Sequence, residues 1–228
     1  MKIVLTNDDG IDEPGLQALA KCLNGCGKIV IVAPKLAQSG VGHRVTTTEP
    51  IAVKKIGFDR FSVEGTPADC ARIALRLIAP DADWLIAGIN PGANLGLDVY
   101  NSGTVAAARE ATILGCKSIA ISQYIARDHG VDWNITGHHS APVLRMLINK
   151  PLGKGAFWNV NLPHPLRMDS KPMVKECELD GHSHHVGYQQ KNGAYVYERR
   201  YHERPREAGK DVAICFSGRI SITRMTVL

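Results

Sequence analysis

Most signatures of a specialised protein class are missing from this sequence. No run approaches the roughly 20 consecutive apolar residues that a bilayer crossing requires, and even the apolar stretch at residues 113–121 is broken by Gly115, Lys117 and Ser118. The N-terminus reaches Asp8 and Asp9 after only a short apolar run, too short and too acidic for a secretory leader, so a cytoplasmic protein with no membrane partner is expected. The six cysteines, at 22, 26, 70, 116, 177 and 215, form no C-x-x-C pair, and only Cys22 and Cys26 lie one helical turn apart. A disulfide or zinc framework is therefore not indicated, and the cysteines read as small core residues. Aromatic residues are scarce at 6%, and no internal repeat or low-complexity linker is visible. The net charge of +5 is small for 228 residues, which argues against a dedicated nucleic-acid partner and suits small anionic substrates equally well.

What the sequence does contain is a β-α rhythm. Ile3-Val4-Leu5 and Ile29-Val30-Ile31-Val32-Ala33 are continuous apolar runs, and Leu16, Leu19, Ala20 and Leu23 recur between them at helical spacing. Continuous apolar strands imply burial on both faces and hence a parallel sheet. Two short strands, Ile51 to Val53 and Phe61 to Val63, predict a small antiparallel excursion. Thr66-Pro67-Ala68-Asp69 carries a cap, a first-turn proline and a first-turn acid, so a helix should run from there to about Ile78. Trp84-Leu85-Ile86-Ala87 is a further strand, followed by a helix after Ser102-Gly103-Thr104 and a strand at Ser118-Ile119-Ala120-Ile121-Ser122. Another helix is expected over 135–149 and another strand at Phe157-Trp158-Asn159-Val160-Asn161.

The fold class that follows is α/β, a Rossmann-like, doubly wound, mostly parallel sheet. Residues 1–165 form its core. Residues 166–228 turn polar and alternating, and read as a β-rich appendage with an antiparallel hairpin that serves oligomerisation. The last apolar runs, Val212 to Phe216 and Ile220 to Ile222, read as strands that return to the core.

In such sheets ligands bind beyond the carboxyl ends of the strands. Asp8 and Asp9 follow the first strand, and Gly10 permits a turn that brings both carboxylates into the crevice. Two adjacent acids repel unless a cation lies between them, and a hard divalent ion prefers carboxylate, amide and hydroxyl oxygens. Ser39, after the second strand, and Asn90, after the Trp84 strand, are neutral donors of that kind. Each residue also has a plainer reading: Asp-Asp-Gly as a hydrogen-bonded turn, Ser39 as a solvated loop residue and Asn90 as a turn residue beside Pro91. Their coincidence at consecutive strand ends favours the site. Ser102, Gly103 and Thr104 open a helix whose free N–H groups could seat a phosphate, or simply cap it.

His43 shares the loop of Ser39 and is a candidate substrate contact. The clusters His138-His139 and His182-Ser183-His184-His185 lack the i, i+4 spacing of a helical zinc site, and no zinc is expected there. Arg199, Arg200, Arg204 and Arg206 interleave with Tyr195, Tyr197 and Tyr201, a mixture that reads as a solvated hairpin or a subunit contact more readily than as an RNA-binding surface.

Taken in order, Leu5-Thr6-Asn7-Asp8-Asp9-Gly10 with Pro14-Gly15, Val32-Ala33-Pro34 with Ser39-Gly40, Gly65-Thr66-Pro67-Ala68-Asp69-Cys70, Gly88-Ile89-Asn90-Pro91-Gly92-Ala93-Asn94-Leu95-Gly96 and Ser102-Gly103-Thr104-Val105 resemble the stationary-phase survival protein SurE family of 5′/3′-nucleotidases. The resemblance covers the N-terminal half and fades in the last third. It implies one divalent cation per subunit, magnesium or manganese, held by Asp8, Asp9, Ser39 and Asn90. It also implies hydrolysis of nucleoside 5′-monophosphates, and of 3′-monophosphates as a further activity, by a phosphoric monoester hydrolase. Asp8, Asp9 and Asn94 would then be catalytic, with Asn94, Ser102, Gly103, Thr104 and His43 around the phosphate. Some relatives act on short polyphosphate, and relatives assemble through C-terminal segments, so a homodimer or homotetramer is expected. A non-catalytic nucleotide-binding regulatory module contacting RNA or a protein partner is the alternative.

Overall fold

The computed structural model describes residues 1–183, 186–198 and 201–227. In chain order, β1 (Lys2–Thr6), α1 (Pro14–Cys22), β2 (Lys28–Pro34), β3 (Val53–Gly57) and β4 (Arg60–Val63) come first. They are followed by α2 (Pro67–Ile73), β5 (Trp84–Pro91), α3 (Gly103–Ile113), β6 (Lys117–Gln123), α4 (Trp133–Ile148) and β7 (Ala156–Leu162). The C-terminal part contains β8 (Val174–Glu176), β9 (Gly187–Lys191), β10 (Ala194–Glu198), α5 (Asp211–Phe216) and β11 (Ile220–Thr226).

Nine strands form one sheet in the order β3-β4-β2-β1-β5-β6-β7-β11-β8, parallel from β4 through β7. The two ends break the pattern: β3 is antiparallel to β4, and β11 is antiparallel to β7 while parallel to β8. The period-two alternation of β1 sends Ile3 and Leu5 to one face and Val4 to the other. The first face packs on Leu16 and Leu19 of α1 and on Val143, Leu144 and Leu147 of α4. The second packs on Cys70 and Ala71 of α2 and on Ala107 and Ala111 of α3. Both faces are covered, which is why the strands carry no polar alternation, and the α/β, Rossmann-like, mostly parallel fold expected from the sequence is the one found.

The strand order runs outward in opposite directions from β1 and β5, so their carboxyl ends flank the switch point at which a crevice must open. Helix α2 starts as the sequence predicts, with a reciprocal capping box: the Thr66 hydroxyl accepts from the Asp69 N–H at 3.2 Å and the Asp69 carboxylate accepts from the Thr66 N–H at 3.0 Å. It widens into a π-helical turn at Ala74–Ile78.

Two expectations are corrected. The strand placed at Ile51 to Val53 begins at Val53 and runs to Gly57. The run Val212 to Phe216, read as a strand, is helix α5. A five-residue apolar run does not distinguish strand from helix, and here the environment decides. The buried Asp211 carboxylate accepts from the backbone N–H groups of Gly96 and Asp180, both at 2.7 Å, and of Val212 at 2.9 Å. This fixes the first turn, and Val212 and Cys215, one helical turn apart, pack together against Leu95 and Tyr124. The predicted hairpin is present as β9 and β10, a separate two-stranded sheet. No helix among the described residues is long and apolar enough to cross a membrane.

Candidate active site

The turn after β1 is closed by Asn7, whose side-chain amide donates to the Gly10 carbonyl at 2.7 Å and whose side-chain oxygen accepts from the Gly10 N–H at 3.3 Å. Gly10 lies at φ +130°, a backbone region in which other residues are strained, so the glycine sets the turn that presents Asp8 and Asp9. Asp8 is 5% exposed and is gripped from two sides. Its carbonyl accepts from the Gln38 N–H at 2.7 Å, which draws the Ser39 loop against the first strand. One carboxylate oxygen accepts a short hydrogen bond from the Thr104 hydroxyl.

The start of α3 presses on the same side chain. Ser102 caps this helix by accepting from the Val105 N–H at 3.1 Å, and a Cβ on Gly103 would lie 2.9 Å from the Asp8 Cβ. Only glycine allows the helix to begin this close to the carboxylate. Burial raises the Asp8 pKa, and the bond from Thr104 opposes that rise. Asp9 is pushed up to about 7, by burial first and then by the negative charges of Asp8 and Glu13. Its Oδ2 is buried with no hydrogen-bond partner among the described residues. A buried carboxylate oxygen without a donor is costly, and a bound cation would remove that cost.

Asn90, near the end of β5, turns its amide nitrogen to the Gly92 carbonyl at 2.5 Å, which leaves its oxygen as the end available to a ligand. Ser39 is exposed on a turn beside this crevice. Among the described residues no group of three His, Cys, Asp or Glu side chains could hold a metal ion. A cation at this crevice would need neutral oxygens beside the two carboxylates, and that all-oxygen set suits magnesium or manganese better than zinc.

Three other residues singled out from the sequence are held in ways it did not reveal. Asn94 is buried and donates to the Ser122 hydroxyl at 2.8 Å, while its backbone is held by two asparagines of β7. Asn161 accepts from the Asn94 N–H at 2.8 Å, and both Asn159 and Asn161 donate to the Asn94 carbonyl, at 2.9 and 3.1 Å. Thr104 is fully buried behind Asp8, so its hydroxyl serves the carboxylate. His43 is turned toward α3, where its Nε2 faces the Glu110 carboxylate at 2.8 Å and Arg109 approaches its Nδ1 at 3.3 Å. An arginine can only donate, so Nδ1 is the accepting nitrogen of the ring and Nε2 donates to Glu110.

The buried Glu110 completes the network by accepting from the more exposed Arg72 at 2.6 Å. Burial raises its pKa, but the bonds from His43 and Arg72 outweigh this and hold it below the usual carboxylate range. Glu110, Arg72 and Arg109 had no visible signal, because charged residues on helices ordinarily mark a solvated face. Asn159 and Asn161 did have one: two amides at period two within an apolar buried strand require partners.

The histidine clusters are not assembled as a metal site among the described residues. His139 bonds the Arg167 carbonyl at 2.8 Å, and His182 bonds Asp180 at 2.6 Å. His184, His185, Arg199 and Arg200 lie outside the described residues.

The chain shares this architecture with known proteins. The crystal structure of a SurE protein from Aquifex aeolicus matches with a TM-score of 0.86 and 32% identity, covering 99% of this chain and 93% of that one. A candidate 5′-nucleotidase of Synechocystis sp. is 46% identical over 227 residues, covering 100% of both chains. A protein of Aeromonas hydrophila named 5′-nucleotidase SurE is 34% identical over 240 aligned positions, covering 100% of this chain and 92% of its own. A family model described as survival protein SurE matches residues 3–184. With that match spanning most of the sequence, and with full-length relatives well above 30% identity, the chain belongs to the survival protein SurE family.

Proposed function

We propose that this protein is a phosphomonoesterase that hydrolyses nucleoside 5′-monophosphates, and also 3′-monophosphates, with one divalent cation, magnesium or manganese, held by Asp8, Asp9, Ser39 and Asn90. The observation that carries the reading is the Asp8-Asp9 pair at the switch point of the sheet, where Asp9 Oδ2 is buried without a donor among the described residues. Such a cation supplies positive charge to phosphoryl oxygens and increases the acidity of water.

The residues around it divide the remaining work. Thr104 fixes the rotamer of Asp8, and the turn built on Asn7 and Gly10 fixes Asp9. The Gly103 N–H favours an anion at the start of α3, whereas the Ser102 N–H is taken by the Asp98 carbonyl at 3.1 Å, and Asn94 retains a second amide N–H beyond the one it gives to Ser122. One of the two aspartates orients or deprotonates the attacking water. His43 anchors the Ser39 loop to α3 through Glu110, so its contribution to substrate is to position that loop.

Purified protein should release phosphate from nucleoside 5′-monophosphates, lose that activity in a chelator and regain it when Mg²⁺ or Mn²⁺ is restored. Full turnover in chelator would sink the metal assignment. Nucleotide binding without phosphate release under either metal would point to a regulatory module instead.

Residues 166–228 are proposed to carry assembly into a homodimer or homotetramer, in a cytoplasmic enzyme with no nucleic-acid partner. The β9–β10 hairpin leaves Tyr188, Tyr195 and Val196 exposed at 61%, 72% and 48%, and a two-stranded sheet is marginal in water without a cover. Light scattering at micromolar concentration should report a dimer or larger, and Val196→Glu should shift it toward monomer. A wild-type monomer with full activity would contradict this.

A further inference from the structure

The residues from Asn94 to Gly103 join two of the proposed phosphate contacts, so the path of this stretch sets their separation. Its middle is the 3₁₀ turn Gly96–Tyr100. The Asp98 carbonyl accepts from the N–H groups of Asn101 at 3.0 Å and Ser102 at 3.1 Å, and the Asp98 N–H donates to the Leu95 carbonyl at 3.1 Å. Asp98 is therefore the residue that joins the turn to the start of α3. A 3₁₀ turn is short and its hydrogen bonds are poorly aligned, so its orientation needs support from elsewhere.

That support comes from the C-terminal segment. The Arg204 guanidinium pairs with the Asp98 carboxylate across 106 residues through one nitrogen, and approaches the Leu95 carbonyl at 3.4 Å through the other. The Arg204 side chain is 9% exposed and lies over the Tyr201 ring, 5.0 Å from its centroid. Tyr201 in turn donates its hydroxyl to the Ala93 carbonyl at 3.2 Å. Gly96, between the two residues that Arg204 holds, lies at φ +53°, and a Cβ there would be 2.9 Å from the Asp180 carbonyl oxygen and 3.5 Å from Arg204 Nη2. A bare glycine lets the turn close onto the arginine. Because Asp98 neutralises it, Arg204 is suited to hold the turn and not to attract an anion itself.

We infer that Arg204 is a positioning residue: by clamping Leu95 and Asp98 it sets the turn so that the Asn94 amide and the Gly103 N–H converge on one phosphoryl group. The inference rests on the nucleotidase reading above and deepens it, by giving the C-terminal segment a part in building the phosphate seat.

The test uses Arg204→Lys and the double variant Asp98→Asn with Arg204→Met. The double variant removes both charges together, because removing one partner alone would leave the other partly buried and unpaired. Lysine keeps the charge but lacks the planar fork that reaches two oxygens at once. Binding of inorganic phosphate with Mg²⁺ is measured by calorimetry. Both kcat and KM are measured on adenosine 5′-monophosphate and on glycerol 2-phosphate, well below the unfolding temperature of each variant. Misplacing a reacting group by about 1 Å costs about 100-fold, but Asp211 still holds the turn at Gly96, so the double variant should lose about tenfold in kcat on both esters. Phosphate binding should weaken about tenfold as well, and Arg204→Lys should lose about threefold in each. If the double variant fails to fold, the loss in Arg204→Lys decides alone. Folded variants with kcat and phosphate binding within about twofold of wild type would overturn the inference. A loss confined to the nucleotide would overturn it too, by placing the effect of Arg204 at the nucleoside instead of the turn. Wild-type protein that binds phosphate, more tightly than the double variant does, yet hydrolyses no nucleotide would sink the nucleotidase reading and leave Arg204 as the support of the seat.

Discussion

Asp8→Asn and Asp9→Asn are each expected to lower kcat by more than about 100-fold, while the folded state survives. Partners that merely support a metal ligand typically cost about 10–100-fold when removed, so loss of a direct carboxylate should exceed that. The fold should survive because Asn is close to Asp in shape. At position 8 its amide oxygen can still accept from Thr104, and the Asn7–Gly10 turn does not use either carboxylate. Metal-free Asp9→Asn should moreover unfold at a higher temperature than metal-free wild type. The sign follows from the raised pKa of about 7 in the folded protein. An unfolded aspartate loses its proton near about pH 3.9, so between there and about 7 the folded state holds more protons. Wild-type stability therefore falls as pH rises through that window, and the Asn variant lacks this contribution to the slope. Steady-state kinetics with saturating Mg²⁺ and thermal unfolding in chelator at two pH values would check both halves. Near-wild-type turnover in either variant would count decisively against the assignment.

Gly88→Ala should destabilise the protein by more than about 4 kcal/mol, in the range reserved for severe core defects. Gly88 sits at φ +132°, which strains any residue with a side chain. An added Cβ would also lie 2.2 Å from the Ile121 carbonyl oxygen, 3.0 Å from the Ile121 side chain and 3.2 Å from the Asn90 N–H nitrogen. The carbonyl cannot retreat easily, because β6 is paired on one side with β5 and on the other with β7. Since domains of this kind are stable by only about 5–15 kcal/mol, most of the margin would be lost. Gly130→Ala is the control, since a Cβ there meets nothing within 4 Å, and its effect should stay within about 0.5 kcal/mol. Urea unfolding of the two variants decides the matter, and a Gly88→Ala protein within 1 kcal/mol of wild type, about the usual effect of one substitution, would refute it.

Legibility in the sequence followed the range of the interactions involved. Strands β1, β2, β5, β6 and β7 were readable because burial on both faces writes a continuous apolar run into each. The α2 cap was readable because its reciprocal bonds join residues three apart. Helix α5 was misread because its first turn is set by Gly96 and Asp180, 115 and 31 residues from Asp211, and no local pattern contains them. His43 was placed in the correct loop, but its orientation depends on Glu110, 67 residues away.

By itself, then, the sequence determined the element types of the main sheet and its flanking helices but not that of α5, together with the parallel class of sheet, the acidic turn at Asp8 and Asp9 and the family to which the chain belongs. Periodicity, turn chemistry and motif spacing are local properties that survive without coordinates. The tertiary structure alone decided that Thr104 would meet Asp8 across 96 residues, that Gly103 would have to be bare to let it, and that Tyr197 and Tyr201 would line a cavity beside Asn90. Those outcomes depend on which strands neighbour one another at the switch point and on where the C-terminal segment docks. Strand order is fixed by packing summed over the whole sheet, and that sum cannot be read from any one segment of the chain.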